Sequence, residues 1–164
     1  MMYTYPYPRP SLTTDVVVFR NSSNGPEVLL IQRLHPPFDG QWALPGGFVE
    51  QEEPLEVGAR RELREETGIE LEPPLKQLAA FGDPGRDPRG WTVSVVFWTW
   101  LGDMQLNAQA GDDASQAAWW PLTKLPHLAF DHAEILQTAL EQLQTLAGKE
   151  KIPYTLPQRI TFRR

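Results

Sequence analysis

Apolar and polar positions along this chain change period several times. Residues 15–20 (DVVVFR) and 28–33 (VLLIQR) are short runs rich in β-branched residues, and each reads as a strand. The Asn21–Pro26 stretch between them reads as a turn. Residues 91–101 (WTVSVVFWTWL) predict a longer strand, with Thr92, Ser94 and Thr99 giving only partial alternation. Ala79–Phe81 is a shorter strand candidate, and Ala117–Trp120 a short apolar piece. Two stretches keep a helical period. In the first, Leu55, Ala59 and Leu63 form the buried stripe, Pro54 is placed to open the helix at its first position, and Gly68 to close it. In the second, Ile135, Leu136, Leu140, Leu143 and Leu146 make the apolar side. Asp131 with Glu134 forms a capping-box variant there, and Gly148 is expected to end the helix.

The first helix carries the chemistry. Glu62, Glu65 and Glu66 stand at i, i+3 and i+4, a spacing that gathers them on one side. At 100° per residue, Glu62 and Glu66 project within about 20° of Leu55, so they extend the apolar stripe instead of opposing it. A charge run is usually a solvated face, and these angles argue against that reading. Carboxylates crowded at the edge of a core repel one another and are costly to desolvate unless a cation binds. Oxygen ligands of this kind suit a hard divalent ion, Mg²⁺ or Mn²⁺.

Composition narrows the rest. A chain of 164 residues with 41% apolar content is enough for one domain with a sizeable core. A net charge of −6 disfavours a general nucleic-acid binder, and the lack of cysteine removes disulfides, thiol nucleophiles and cysteine zinc sites. Neither an 18-residue apolar run nor a signal-peptide pattern is present, so a soluble cytoplasmic protein without a membrane partner is expected. Residues 1–13 are a Tyr- and Pro-rich arm, residues 14–148 the domain, and residues 149–164 a basic, proline-interrupted tail. Within the domain, Trp42 and Leu44 look like core anchors, and the Gly46–Gly47 pair permits close backbone approach. Residues 82–90 (GDPGRDPRG) form a charged loop, and 110–113 (AGDD) an acidic one.

Gly47, Glu53, Arg61-Glu62-Leu63, Glu65-Glu66 and Gly68-Ile69 fill every fixed position of the Nudix box, and the chain resembles that family. The resemblance implies an α/β/α sandwich with a mixed central sheet, and divalent-metal-dependent hydrolysis of a nucleoside diphosphate linked to another moiety. It makes Glu62 and Glu66 the principal metal ligands, Glu65 the completing carboxylate, and the Gly46 carbonyl part of the metal shell. Arg61 would orient the carboxylates, through Glu53. The proton acceptor does not follow from the box; Asp112 or Asp113 on the later loop is the candidate, as base or extra ligand, beside a box glutamate.

The loops GDPGRDPRG and AGDD and the segment Leu128–His132 resemble the branch containing bacterial ADP-ribose pyrophosphatases and regulators of NAD metabolism. Pro84 falls close to where the ADP-ribose-specific group carries a proline. ADP-ribose would be cut to AMP and ribose 5-phosphate. Arg33, Arg86, Asp87 and Arg89 would meet phosphates or riboses, and Phe48 or Trp42 would stack on adenine, with core packing the competing role for Trp42. His132 reads equally as a structural residue. The regulators append a winged helix, and this chain stops soon after Tyr154 with its box intact, so an enzyme is expected. Other substrates in this mechanism are NADH, a dinucleoside polyphosphate, a sugar nucleotide or a damaged nucleoside triphosphate; an ADP-ribose sensor without turnover is the reading from another class. Relatives in the branch are often homodimers, and the arm could contribute to such an interface.

Overall fold

The computed structural model describes residues 2–111 and 113–164. Its organising strand is β1 (Ser11–Ser22), which sends Val16 and Val18 to one face and Val17 and Phe19 to the other, all four fully buried. A strand covered on both faces has no polar side to offer, which is why its sequence runs apolar without alternation. β1 pairs in parallel with β6 (Thr92–Trp100), from Ser11↔Thr92 to Phe19↔Trp100. It pairs antiparallel with β2 (Gly25–Arg33) through a tight turn at Ser22↔Gly25, where Gly25 takes φ 91°. β3 (Trp42–Ala43) and β7 (Ala114–Pro121) flank β2, β5 (Lys76–Phe81) lies outside β6, and β4 (Gly46–Phe48) pairs with β1. Among the described residues these seven strands form one mixed sheet, in the order β3-β2-β1-β6-β5 with β4 and β7 off that path.

Helix α1 (Leu55–Thr67) buries Ala59 and Leu63 against Val16, Val18, Leu29, Val95 and Phe97 on one face of the sheet. Helix α2 (His132–Glu150) buries Ile135, Leu136, Ala139, Leu140 and Leu143 against Val17, Phe19, Leu30, Val96 and Trp98 on the other. The result is the expected α/β/α sandwich with a mixed sheet. One edge of β1 is shared: Phe19–Ser22 pair with β2, while Thr13–Asp15 pair with β4. β2 and β4 therefore part company beside Val16–Val18, and a cleft opens in that fork.

Several boundaries differ from the sequence reading, each for a local reason. β1 begins at Ser11 and so takes in the last residues of the expected arm, because the parallel ladder with β6 extends that far. Pro54 stands one position before the helix, with extended ψ 140°, and its carbonyl accepts the Gly58 N–H. Gly68 closes α1 in the left-handed region (φ 71°), as expected. α2 runs past Gly148 to Glu150 and ends on Lys151 (φ 51°), with Ile152 N–H returning to the Ala147 carbonyl. Asp131 does not cap α2 through its side chain, because both carboxylate oxygens bind Arg86; a bidentate ionic pair outweighs one cap bond. The tail folds back: Thr161 and Arg163 bond the backbone of Leu122 and Leu125, and Leu156 and Ile160 pack on the α2 core. No described helix is long and apolar enough to cross a membrane.

Leu63 is 1% exposed in the α1 core. Leu63→Ala is expected to lower unfolding free energy by about 2–5 kcal/mol in urea melts; an unshifted midpoint would contradict this packing.

Candidate active site

The cleft in the fork of β1 holds about 320 Å³ and draws its walls from β1, β2, β4, α1, the 82–90 loop and the start of α2. Its acidic wall is built on α1. Glu66 is 8% exposed, and its Oε2 accepts the Gly46 N–H at 2.9 Å. Burial, with smaller contributions from the Glu62 and Asp15 charges, pushes the Glu66 carboxyl up to about 8, against the Gly46 bond and Arg33. Glu62 is likewise raised, chiefly by burial, with Arg61 opposing.

Arg61 holds this wall in place. Its Nε and Nη2 clamp both oxygens of Glu53 at 2.7 and 3.0 Å, and its Nη1 reaches Glu62 Oε1 at 2.7 Å and Glu65 Oε2 at 3.2 Å. The pairing pulls the Glu53 carboxyl down to about 2 and lifts the Arg61 guanidinium well above its ordinary value. Arg61 precedes Glu62 by one residue, about 100° around the helix, and its long guanidinium side chain crosses that angle to reach the carboxylates. Glu65 has a half-exposed side chain and lies outside the cleft lining.

Gly46 and Gly47 are required by close approach. A Cβ on Gly46 would collide with the Thr14 carbonyl oxygen and Asp15 Oδ1, and one on Gly47 would lie 2.5 Å from Glu62. Asp15 is a further buried carboxylate beside the box, outside the sequence-level candidates. It accepts from Ser94 Oγ at 2.5 Å, and His132 Nε2 lies 3.8 Å from its other oxygen.

The opposite wall is cationic and aromatic. Arg86 is paired bidentately with Asp131 at 2.7 and 2.8 Å; burial would lower it, and the Asp131 carboxylate more than offsets this, leaving it raised. Asp87 is 4% exposed; burial would raise its carboxyl, and the Arg89 side chain and N–H bring it below its usual range. Arg33 differs from both. Among the described residues it donates only to the backbone carbonyls of Pro37 and His35, and burial with the nearby Arg89 charge lowers it. The Arg89 guanidinium lies 4.9 Å from the Phe48 ring and 5.6 Å from Phe130, and Arg33 lies 4.9 Å from Phe130.

Thus Arg33, Phe48, Arg86, Asp87, Arg89, Asp113, Gly46, Glu62 and Glu66 meet in one cleft, whereas Pro84 is exposed outside its lining. Trp42 is buried in the core, edge-on to Trp120. Asp112 lies outside the described residues. Phe130 and Asp15 are the site residues that sequence reasoning missed.

The donor set fits a hard divalent cation. Among the described residues, no donor engages Glu62 Oε2 or Glu66 Oε1, and the buried Glu66 needs positive charge to ionise. Among the described residues, no three acidic or imidazole side chains converge on one point; Glu62 and Glu65 share Arg61, while Glu66 is held by the Gly46 N–H and Asp15 by Ser94.

The NUDIX domain model matches residues 10–142. The chain belongs to the Nudix family. It is 42% identical, over 80% of its length and 73% of the relative's, to an ADP-ribose pyrophosphatase of Methanocaldococcus jannaschii. It is 37% identical to the ADPR responsive transcriptional repressor NtrR of Acinetobacter baylyi, covering 92% of this chain but 61% of the repressor. Its structure resembles the NUDIX domain of Shewanella oneidensis NrtR complexed with ADP ribose, with a TM-score of 0.77 at 36% identity over 85% of this chain and 94% of that one. The Nudix box thus maps onto the acidic wall of the cleft.

Because Glu66 is raised in the folded state to about 8 from an ordinary 4.5, the folded chain binds more protons than the unfolded one between those values. Glu66 therefore contributes stability to the metal-free chain that is lost as pH rises from about 5 to about 8, and Glu66→Gln is expected to remove that contribution. Urea melts across pH check this; parallel profiles for the two proteins would contradict the burial.

Proposed function

We propose that this Nudix chain hydrolyses the pyrophosphate of ADP-ribose to AMP and ribose 5-phosphate, using Mg²⁺ or Mn²⁺ held at Glu62 and Glu66. The observation that carries this reading is one cleft with oxygen donors on one wall and Arg33, without a carboxylate partner among the described residues, on the other. A pyrophosphate needs both: a cation on its oxygens and a guanidinium fork to orient it. The 42% identity to an ADP-ribose pyrophosphatase supports the choice of substrate.

When bound, the divalent cation supplies charge neutralisation at the phosphates and activates water as a nucleophile. Glu62 and Glu66 would offer it their unengaged oxygens, with the Gly46 carbonyl as a further donor, while Glu65, outside the cleft lining, would act through its bond to Arg61. Arg61 holds Glu62 oriented through its clamp on Glu53. Arg33 orients the phosphates, while Arg86 and Arg89, each neutralised by an aspartate, shape the wall beside them. Phe48 and Phe130 offer ring faces for adenine. Water adds to one phosphorus as the bridging P–O bond breaks and its electron pair leaves with the departing phosphate; the proton released passes to a carboxylate, for which Asp113 lines the cleft.

The NtrR and NrtR similarities favour a second reading, an ADP-ribose-responsive module without turnover. One assay separates the two. Purified chain with Mg²⁺ is tested against ADP-ribose, NADH, diadenosine polyphosphates, UDP-glucose and nucleoside triphosphates, with Glu66→Gln as the blank. Preferential AMP release from ADP-ribose, lost in Glu66→Gln, is expected. Strong turnover of another substrate removes ADP-ribose, and binding of ADP-ribose without turnover of anything favours the sensor. Arg33→Ala is expected to raise KM for ADP-ribose about 10-fold or more, the loss of one charge-assisted contact; an unchanged KM would take Arg33 out of the phosphate site.

A further inference from the structure

Three consecutive residues, the two between β3 and β4 and the first of β4, are each claimed by a different element. The Leu44 N–H donates to Nδ1 of His132, the first residue of α2, at 3.0 Å. The Pro45 carbonyl accepts from Val16 of β1 at 2.9 Å. The Gly46 N–H donates to Glu66 of α1 at 2.9 Å. Leu44 lies between the two ladders, so its N–H has no sheet partner, and Pro45 has no N–H at all. A buried N–H must find an acceptor, and the imidazole is the one it has.

His132 is itself fixed. It is 4% exposed, and since Nδ1 accepts from Leu44, the proton of the neutral ring sits on Nε2, facing Asp15. Asp15 is in turn held by the Ser94 hydroxyl. Downstream of Leu44 there is no slack. Gly46 and Gly47 already lie so close to Asp15 and Glu62 that neither could carry a Cβ. A shift at Leu44 is therefore passed along the backbone to the two box carboxylates.

We propose that His132, backed by Asp15 and Ser94, is a positioning residue of the α1 carboxylates: by holding the Leu44 N–H it sets the backbone against which Glu62 and Glu66 are aligned. This deepens, and rests on, the reading of those glutamates as cation ligands. Asp131, the neighbour of His132, holds Arg86, so the start of α2 anchors the acidic and the cationic wall together.

The test measures Mn²⁺ affinity by the EPR signal of free Mn²⁺, with ADP-ribose turnover alongside, for the wild-type chain and for His132→Asn, His132→Gln and His132→Leu. Asparagine places an acceptor where Nδ1 stands; glutamine reproduces Nε2 instead. Mn²⁺ affinity is expected to stay within roughly threefold of wild type in His132→Asn and to fall about 10–100-fold in His132→Gln and His132→Leu, the range for residues that orient metal ligands. Turnover falls in kcat while KM for ADP-ribose is retained. If His132→Leu does not fold, the contrast between asparagine and glutamine decides alone. Equal Mn²⁺ affinity in His132→Asn and His132→Gln overturns the proposal, as does a wild-type chain that binds no Mn²⁺. The expected contrast without any ADP-ribose turnover supports the positioning role and removes ADP-ribose as the substrate.

Discussion

Burial of the Glu66 carboxylate against the Gly46 N–H is the constraint on which the site depends. Desolvation pushes this carboxyl up to about 8, and the neighbouring Glu62 and Asp15 charges push the same way. One backbone N–H does not compensate a buried charge beside two others; a cation does. The surroundings follow from keeping that arrangement intact. Gly46 and Gly47 lack side chains because Asp15 and Glu62 occupy the space. Glu53 and Arg61 form a tight ionic clamp that fixes Glu62 from outside the cleft. The pairing of Asp15 with Gly46 in register ties the acidic wall to the central strand of the sheet.

Across the cleft the balance of charge runs in reverse. Three arginines line it, yet Arg86 and Arg89 are each matched by an aspartate. Fixed pairs of this kind make rigid walls and leave little charge for a ligand. Arg33 bonds only carbonyls among the described residues, so its charge is available to an anion. A single available guanidinium facing unengaged carboxylate oxygens suits a ligand that brings its negative charge as phosphate and its positive charge as bound metal.

The acidic wall was legible in the sequence because its geometry is local. Glu62 and Glu66 on one helix are placed by periodicity alone, as was the stripe of Leu55, Ala59 and Leu63, whereas Glu65 falls outside the lining. What escaped depends on long-range contact. Ser94 and Asp15 are 79 residues apart, and His132 and Leu44 are 88 apart; no spacing rule links them. Asp131 followed a capping pattern, but the partner that won its carboxylate lies 45 residues away. Phe130, at φ 51°, had no local sign of its place between Phe38, Arg33 and Arg89. The tail was unreadable for the same reason: its hydrogen bonds go to distant residues, among them Asp103, Leu122, Leu125, Gln137 and Gln144.

The most direct test of the central claim is an anomalous difference map from a crystal of this chain soaked in Mn²⁺. The account predicts a peak in the fork between β2 and β4, beside Glu62, Glu66 and the Gly46 backbone. A map with its peaks elsewhere, and none beside Glu62 and Glu66, would contradict it.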